Sequence, residues 1–365
     1  MPRRFARVVI CIVALMPPVI ARAADEKTLL DEEWNAAFLG TDKVGYVHTT
    51  AHRIREGNRD LIEMRVESVL TIKRFGQTLE LATDYTSVET PDGKVVRMDN
   101  RSKQGPVETR TRGEVIGNAL KLTVETLGKQ TTANIPWSDD ILGQYGEDQL
   151  LKKRSLKPGD KRTYRSFSPD INQVMTNVVT GQDMDEVTLL DGSKRSLQKI
   201  LAQVEGVPAL KNMKVYSWVD DKGESHKQHS DFVISTTFYR TTKEVATAKP
   251  TEITGDFGVT TLIKADKRIT NPYETSEVVY RIEITDDDPF QTIPQDERQK
   301  LSKDDNGKVL LTITAIDARQ PAPDGAKKPK AEFLDSNNWL QSDNAKVIQA
   351  AKEAIGDASD PWEKA

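Results

Sequence analysis

From Leu61 to Phe75 the chain alternates. Ile62, Met64, Val66, Ser68, Leu70 and Ile72 fall on one face. Glu63, Arg65, Glu67, Thr71 and Lys73 fall on the other, with Val69 the one apolar residue among them. Successive side chains of a strand point to opposite sides. The pattern therefore predicts a half-buried antiparallel strand of about twice the ordinary length. Gly76 ends it, and Thr78 to Glu89 resumes as its hairpin partner. Lys43 to Thr50 is also rich in β-formers.

Turn chemistry recurs along the chain. Asp92-Gly93, Asp191-Gly192, Lys222-Gly223 and Asn306-Gly307 each lie between β-rich runs and supply the positive φ that tight hairpins need. Pro158-Gly159-Asp160 marks a turn before Lys161 to Phe167. Tyr85-Thr86-Ser87-Val88-Glu89 precedes one hairpin and Tyr216-Ser217-Trp218-Val219-Asp220 another, which hints at two related β halves. A second β segment is expected at Val259 to Ile263, Glu277 to Ile284 and Lys308 to Ile316. An acidic turn, Asp286-Asp287-Asp288-Pro289, lies between the last two.

Helix signals are few. Asp139 to Lys153 can hold one short helix with Leu142, Tyr145, Leu150 and Leu151 as its apolar members, against the propensity of Gly143 and Gly146. Ser193 to Gln203 fits helix or strand. Asp343 to Ile355 reads as a helix with Ala345, Ile348, Ala351 and Ile355 on one face and Gly356 closing it. The expected fold is all-β, mainly antiparallel sandwich or half-barrel sheets, with one or two short helices and a C-terminal helix.

The ends of the chain set its organisation. Arg3 and Arg4, the apolar run from Phe5 to Ile20 and Ala21-Arg22-Ala23 form a signal peptide over residues 1–23. An N-terminal antiparallel β domain is expected over 24–248, opening with a polar lead-in from Ala24 to Glu33. A second β segment follows over 249–318. Residues 319–342 are a linker, with three prolines and three lysines between Arg319 and Lys330. Residues 343–365 are a helical lead-in. Asp360, Pro361 and Glu363 start a further helix that one turn cannot sustain, so a C-terminal domain is expected beyond this chain.

Composition narrows the function classes. The single cysteine, Cys11, lies in the signal, so the mature part has no disulfide, thiolate metal site or Cys nucleophile. The net charge of −4, with both signs interleaved, gives no basic field for nucleic acid. Mean hydropathy is −0.56 and no second long apolar run follows, so no membrane span is expected after signal cleavage. The expected location is exported, periplasmic or extracellular.

Candidate chemistry is sparse. His48 and His52 share a strand face, and His226 and His229 follow a hairpin, but solvated strand positions explain all four better than a metal cluster. Acidic pairs at Asp139-Asp140, Asp220-Asp221 and Asp304-Asp305 sit beside turns without calcium-loop spacing. No nucleophile elbow, P-loop or dinucleotide fingerprint occurs. Asn100-Arg101-Ser102 is a glycosylation sequon by pattern. No catalytic, cofactor-binding or metal residue is assigned. Trp34, Trp137 and Trp218 read as packing residues. Trp339, in a polar stretch, and Trp362, on the interrupted helix, are the candidate interaction residues.

Several short runs carry a resemblance. They are Trp34-Asn35-Ala36-Ala37-Phe38-Leu39-Gly40, Lys43-Val44-Gly45-Tyr46-Val47-His48, Val88-Glu89-Thr90-Pro91-Asp92-Gly93, Leu156-Lys157-Pro158-Gly159-Asp160 and Thr241-Thr242-Lys243-Glu244-Val245-Ala246. They resemble the β-rich N-terminal region of exported bacterial transglutaminase-like proteins. Ser359-Asp360-Pro361-Trp362-Glu363-Lys364-Ala365 is similar to the lead into their papain-like core. The resemblance implies a non-catalytic accessory region that positions a substrate or partner for a Cys-His-Asp domain. The partners it implies are that C-terminal domain or another exported protein. Hairpin-joined long strands also suit a periplasmic half-barrel that carries a lipid or lipoprotein, provided its concave face is apolar and unfilled.

Overall fold

The structure is a computed structural model. It describes residues 27–153, 156–207, 210–231, 235–250, 253–260, 262–285, 287–315, 330, 334–336 and 340–359. The expected signal peptide, most of the expected linker, Trp339 and Trp362 lie outside the described residues. The chain divides into two units, one ending at Thr261 and one starting at Leu262.

The first unit is built on one 15-stranded sheet. Its first meander is β1 (Thr28–Leu39), β2 (Asp42–Glu56), β3 (Arg59–Arg74), β4 (Gln77–Glu89), β5 (Val95–Gln104), β6 (Val107–Ile116), β7 (Ala119–Thr126) and β8 (Lys129–Pro136). A short strand β9 (Ile141–Leu142) and helix α1 (Gln144–Lys152) follow. The second meander is β10 (Lys161–Ser168), β11 (Gln173–Thr188), β12 (Lys194–Glu205), β13 (Lys214–Val219), β14 (Ser225–Ser230) and β15 (Thr236–Thr241). β15 pairs with β1, so the order runs β8 to β1, then β15 down to β9. The strand pairs are antiparallel except β9 with β10.

The sheet curls over α1. Tyr85, Met98, Leu120 and Leu122 from the first meander pack in one core with Trp137, Ile141 and Phe167 from the return side. A second core joins Leu156 to Val179, Ile200 and Val219. The strand from Leu61 behaves as its alternation predicts. Ile62, Met64 and Ile72 are buried, and β3 pairs with β4 from Arg74–Gln77 back to Ile62–Glu89. The hairpin glycines at 93, 192, 223 and 307 all take positive φ. Ser193–Gln203 resolves as strand β12.

Two expectations change. The polar lead-in to Glu33 is already strand from Thr28, because its acidic residues face the sheet interior and meet cations there. The described residues of the expected strand Val259–Ile263 are not strand. A single helical turn, α2 (Lys243–Thr247), follows β15, and a second, α3 (Phe257–Thr260), runs into this stretch. Asp256 holds the latter by accepting from the backbone N–H of Phe75 (2.8 Å) and Gly76 (2.6 Å).

The second unit holds β16 (Glu277–Ile282), α4 (Pro289–Thr292), β17 (Gln299–Lys303), β18 (Val309–Thr314) and α5 (Ala345–Ile355). Its sheet runs β16-β18-β17, all antiparallel. β17 has one apolar residue, Leu301, which is why periodicity does not reveal it. The acidic turn becomes the start of α4, with Asp288 as N-cap to the Phe290 N–H. Helix α5 forms where expected, capped by Asn344 at one end and closed by Gly356 at φ 55°. None of its residues is buried. Helices of this length are marginal without tertiary contacts. Amides of α5 are therefore expected to exchange within seconds, whereas the β3–β4 amides remain protected. Protection of both alike would show that α5 is held by contacts not seen here.

Candidate functional site

The two faces of the large sheet carry different chemistry. On the outer face, cross-strand register lines up Trp34 with His48 and Thr241, Ala36 with Tyr46 and Tyr239, and Lys199 with Trp218 and Lys227. The Trp34 and His48 rings stack at 3.7 Å with 13° between planes. Phe38 meets Tyr239 edge-on at 5.6 Å. Lysines lie over the next rings. Lys199 Nζ is 4.7 Å from the Tyr216 centroid, Lys227 Nζ is 4.8 Å from that of Trp218, and Lys243 Nζ is 5.6 Å from that of Trp34. None of these three lysines forms a carboxylate ion pair among the described residues. The result is an aromatic and cationic stripe crossing β12, β13, β14, β15, β1 and β2.

Beyond the stripe the same face becomes a ladder of ion pairs. Arg65 bonds Asp84 at 2.8 and 2.9 Å, and Arg110 pairs with Asp99. Opposed charges across neighbouring strands contribute only tenths of a kcal/mol to about 1 kcal/mol each. They keep this part of the sheet solvated.

The inner face is organised by α1. The helix starts at Gly143, which offers no side-chain cap. The carboxylate of buried Glu89, from β4, supplies one. It accepts from the backbone N–H of Tyr145 and of Gly146, each at 3.0 Å, and from the Ser87 hydroxyl at 2.5 Å. Burial pushes this carboxyl up despite those donors. A methyl group on Gly143 would overlap the Glu89 carboxylate, and one on Gly146 would overlap the Gly93 turn. At the other end, Gly223 sits against Lys152. The two hairpins with similar flanks thus hold the two ends of one helix.

Lys152 ends α1 in a half-buried charge network. It reaches Asp31 at 2.8 Å, Asp148 at 3.2 Å and Glu224 at 3.3 Å. Arg240 completes it, with Glu33 at 3.5 Å and Glu224. Burial works against the Lys152 charge, but the hydrogen bond to Asp31 and the surrounding carboxylates carry it above the ordinary lysine range. Burial raises the Glu33 and Asp148 carboxyls. One residue before Asp148, Glu147 accepts from Tyr164 Oη at 3.1 Å and from Ser166, whose hydroxyl also accepts from Asn177 at 2.7 Å. Burial pushes Glu147 up to about 7.

The residues singled out by sequence sort as follows. Trp137 and Trp218 are buried, whereas Trp34 is half-exposed on the outer stripe. The four histidines do not converge, and no group of three or more metal-ligating side chains occurs among the described residues. Asp220 and Asp304 serve turns, accepting from the N–H groups two and four residues on. Asn100 is 3% exposed, so the sequon is closed to a glycan in the folded chain. The stripe lysines, Glu89 and Glu147 escape a sequence reading. For the stripe, the available signal is period-2 aromatic spacing at Trp34 and Phe38 and at Tyr216 and Trp218.

Comparison with known proteins adds little. No family model matches the chain, and no curated protein does. Among solved structures, the chain is similar to a DUF1089 family protein from Pseudomonas aeruginosa at 12% identity. The alignment covers 60% of this chain and 95% of that one at a TM-score of 0.25. A likeness of that size carries no argument about fold or function.

Proposed function

We propose that this chain is the non-catalytic, partner-presenting region of an exported transglutaminase-like protein, docking an acidic protein surface on the outer face of its large sheet. The observation that supports this reading is the stripe. Lys199, Lys227 and Lys243 rest on aromatic faces and form no carboxylate ion pair among the described residues, Lys243 feeling only the more distant charges of Glu32 and Glu244, so an approaching carboxylate meets a cation already positioned. A lysine over a ring at an exposed site gains about 0.5–1 kcal/mol, which holds the ammonium group in place without neutralising it. Aromatic residues on a stiff sheet provide contact area at low entropic cost. The family part of the reading comes from the sequence resemblance and the signal peptide.

The test is a binding titration of the full chain with a polyglutamate peptide, followed by tryptophan fluorescence. Binding is expected at low salt, falling steeply as salt rises. The double reversal Lys199→Glu/Lys227→Glu is expected to weaken it at least ~10-fold, each lost pair contributing about 0.5–1 kcal/mol and each new repulsion a similar amount. Indifference of binding to the reversal would sink the docking surface. For the family part, a Cys-, His- and Asp-bearing domain in the downstream coding frame is the supporting outcome, and an unrelated frame the opposing one.

The second reading, a lipid carrier, has one observation in its favour. A cavity of about 460 Å³ beside the C-terminal end of α1 is lined by Leu151, Leu156, Met184, Leu197, Ile200 and Val219. The remaining inner face is set with the paired charges of Asp31, Glu33, Lys152 and Arg240, which an acyl chain would cut off from water. Lipid retained by the purified chain in native mass spectrometry would reverse the order of the two readings.

A further inference from the structure

A separate cavity of about 260 Å³ lies on the inner face of the sheet, between β3–β5, β10–β11 and the first turn of α1. Its charged lining is of one sign, with the neutral Thr83, Gln144 and Ser168 beside it. Glu147 comes from α1, Asp170 from the β10–β11 turn and Asn100 from β5, with Ser166 and Asn177 on the return side. No lysine, arginine or histidine lines it. Asp170 is exposed and stands at the mouth, whereas Ser166 and Asn100 are each 3% exposed.

The amide of Asn100 supplies an independent sign. Its Nδ2 donates to Asp170 Oδ1 at 3.4 Å, but its Oδ1 has no hydrogen-bond partner. A buried acceptor left unmatched costs about 1–3 kcal/mol, so such groups are rare unless something completes them. Here two carboxylates share the cavity with it. The carboxylates already accept from Tyr164, Ser166 and Asn100 but keep further lone pairs, the Asn100 oxygen has no donor, and the cavity walls supply no cation. Tyr85 and Phe167 add aromatic surface.

We propose that this cavity binds a small organic cation, an amine or guanidinium whose N–H groups reach Asn100, Glu147 and Asp170. An anion would meet only like charge. A bare metal ion would find no set of three metal-ligating side chains among the described residues. The volume equals about eight or nine waters at ~30 Å³ each, the size of a small alkyl diamine or guanidine. Charge-assisted bonds from N–H to carboxylate would supply most of the affinity.

Binding has a proton linkage. Burial is what holds the free Glu147 carboxyl near 7. The groups facing it are Tyr164 and Ser166 from β10, Glu89 and Tyr85 from β4 and, in the same cavity, Asp170. None is cationic, so an arriving cation favours the ionised form. Affinity should rise about tenfold from pH 6 to pH 8 as Glu147 ionises ahead of binding.

Titration calorimetry of the full chain with 1,4-diaminobutane and with ethylguanidine tests this, with 1,4-butanediol as the neutral control. Binding of at least one cation is expected, the diol failing to compete. Glu147→Gln and Asp170→Asn should each weaken binding at least fivefold. Both substitutions keep side-chain volume, and thermal melts of each variant verify folding. Neither touches the outer stripe, so failure here leaves the partner-docking reading standing. Equal uptake of the diol, affinity unchanged in both variants, or no heat from either cation up to roughly 10 mM, the range of millimolar dissociation constants, would overturn the assignment.

Discussion

Glu89→Ala is expected to destabilise the first unit by about 4 kcal/mol, combining a truncation cavity with two orphaned helix N–H groups and an orphaned hydroxyl. Glu89 is 0% exposed and its two oxygens accept from Ser87, Tyr145 and Gly146. The first N–H groups of any helix need partners from outside it, and α1 starts at a glycine that has none to offer. Its nine residues cannot hold a helix by propensity alone. Removing the carboxylate therefore frees α1 from the β4–β5 hairpin and opens the core that the sheet curls around. Glu89→Gln keeps the volume but turns an N–H donor towards one of the backbone donors, at a cost of about 1–3 kcal/mol. Urea unfolding followed by far-UV circular dichroism measures both. A loss below 1 kcal/mol for the alanine variant would mean that water caps α1 as well as Glu89 does.

The second large effect is in the pH dependence of stability. Glu147 has an ordinary value of 4.5 and is raised to about 7 in the fold, burial being the leading cause. The sign follows from proton counts. Below pH 4.5 the carboxyl is neutral in both states and costs nothing. Between 4.5 and about 7 the unfolded chain sheds the proton while the folded chain retains it, so stability falls as pH rises. Each unit of difference is about 1.4 kcal/mol, and some of it is screened because Glu147 borders the cavity, leaving about 2–3 kcal/mol. Glu147→Gln is neutral throughout. It should match the parent chain near pH 5 to within about 1 kcal/mol and exceed it by about 2–3 kcal/mol at pH 8. The lowered His52 and the raised Glu33 and Asp148 contribute equally to both proteins and cancel in the difference, whereas Glu89, whose charge faces Glu147, adds a smaller change of its own. Denaturation midpoints at the two pH values check it. A gap that stays constant between them would show that Glu147 ionises normally.

How much of this was legible depends on where each residue's reason lies. β3 could be read because its reason is local: one wet face, one dry face. So could the hairpins, since a positive φ selects glycine wherever the rest of the chain goes. Gly143 and Gly146 show the opposite case. By propensity they argue against a helix, and they are the very residues that let α1 approach Glu89 and the Gly93 turn. The lead-in at Thr28–Glu33 looked like solvent-exposed chain because its partners, Lys152 and Arg240, are over a hundred residues away. Period-2 reasoning treats an acidic inward position as outward. The stripe was hidden for a related reason. Each strand contributes only one or two of its rings or lysines, and only the register of six strands assembles them. The candidate interaction residues Trp339 and Trp362 fall outside the described residues, so the surface put forward here rests on other side chains entirely.

The first strand of the chain is the middle strand of the sheet, eighth of fifteen from either edge, paired on one side with its immediate successor and on the other with β15. That placement governs the order of assembly. While the chain emerges from its N-terminus, β1 to β8 can zip as hairpins, but β1 keeps an unpaired edge until Thr236–Thr241 appears. Its final register, Trp34 against Thr241, closes a loop of some two hundred residues. Such non-local closure slows folding into the millisecond-to-second range or beyond. Meanwhile a half-built sheet displays an open edge, the kind that pairs with other chains. A chain stopped before β15 would therefore tend towards aggregation. Until β15 arrives, that waiting edge is the point where a holding chaperone would do the most good.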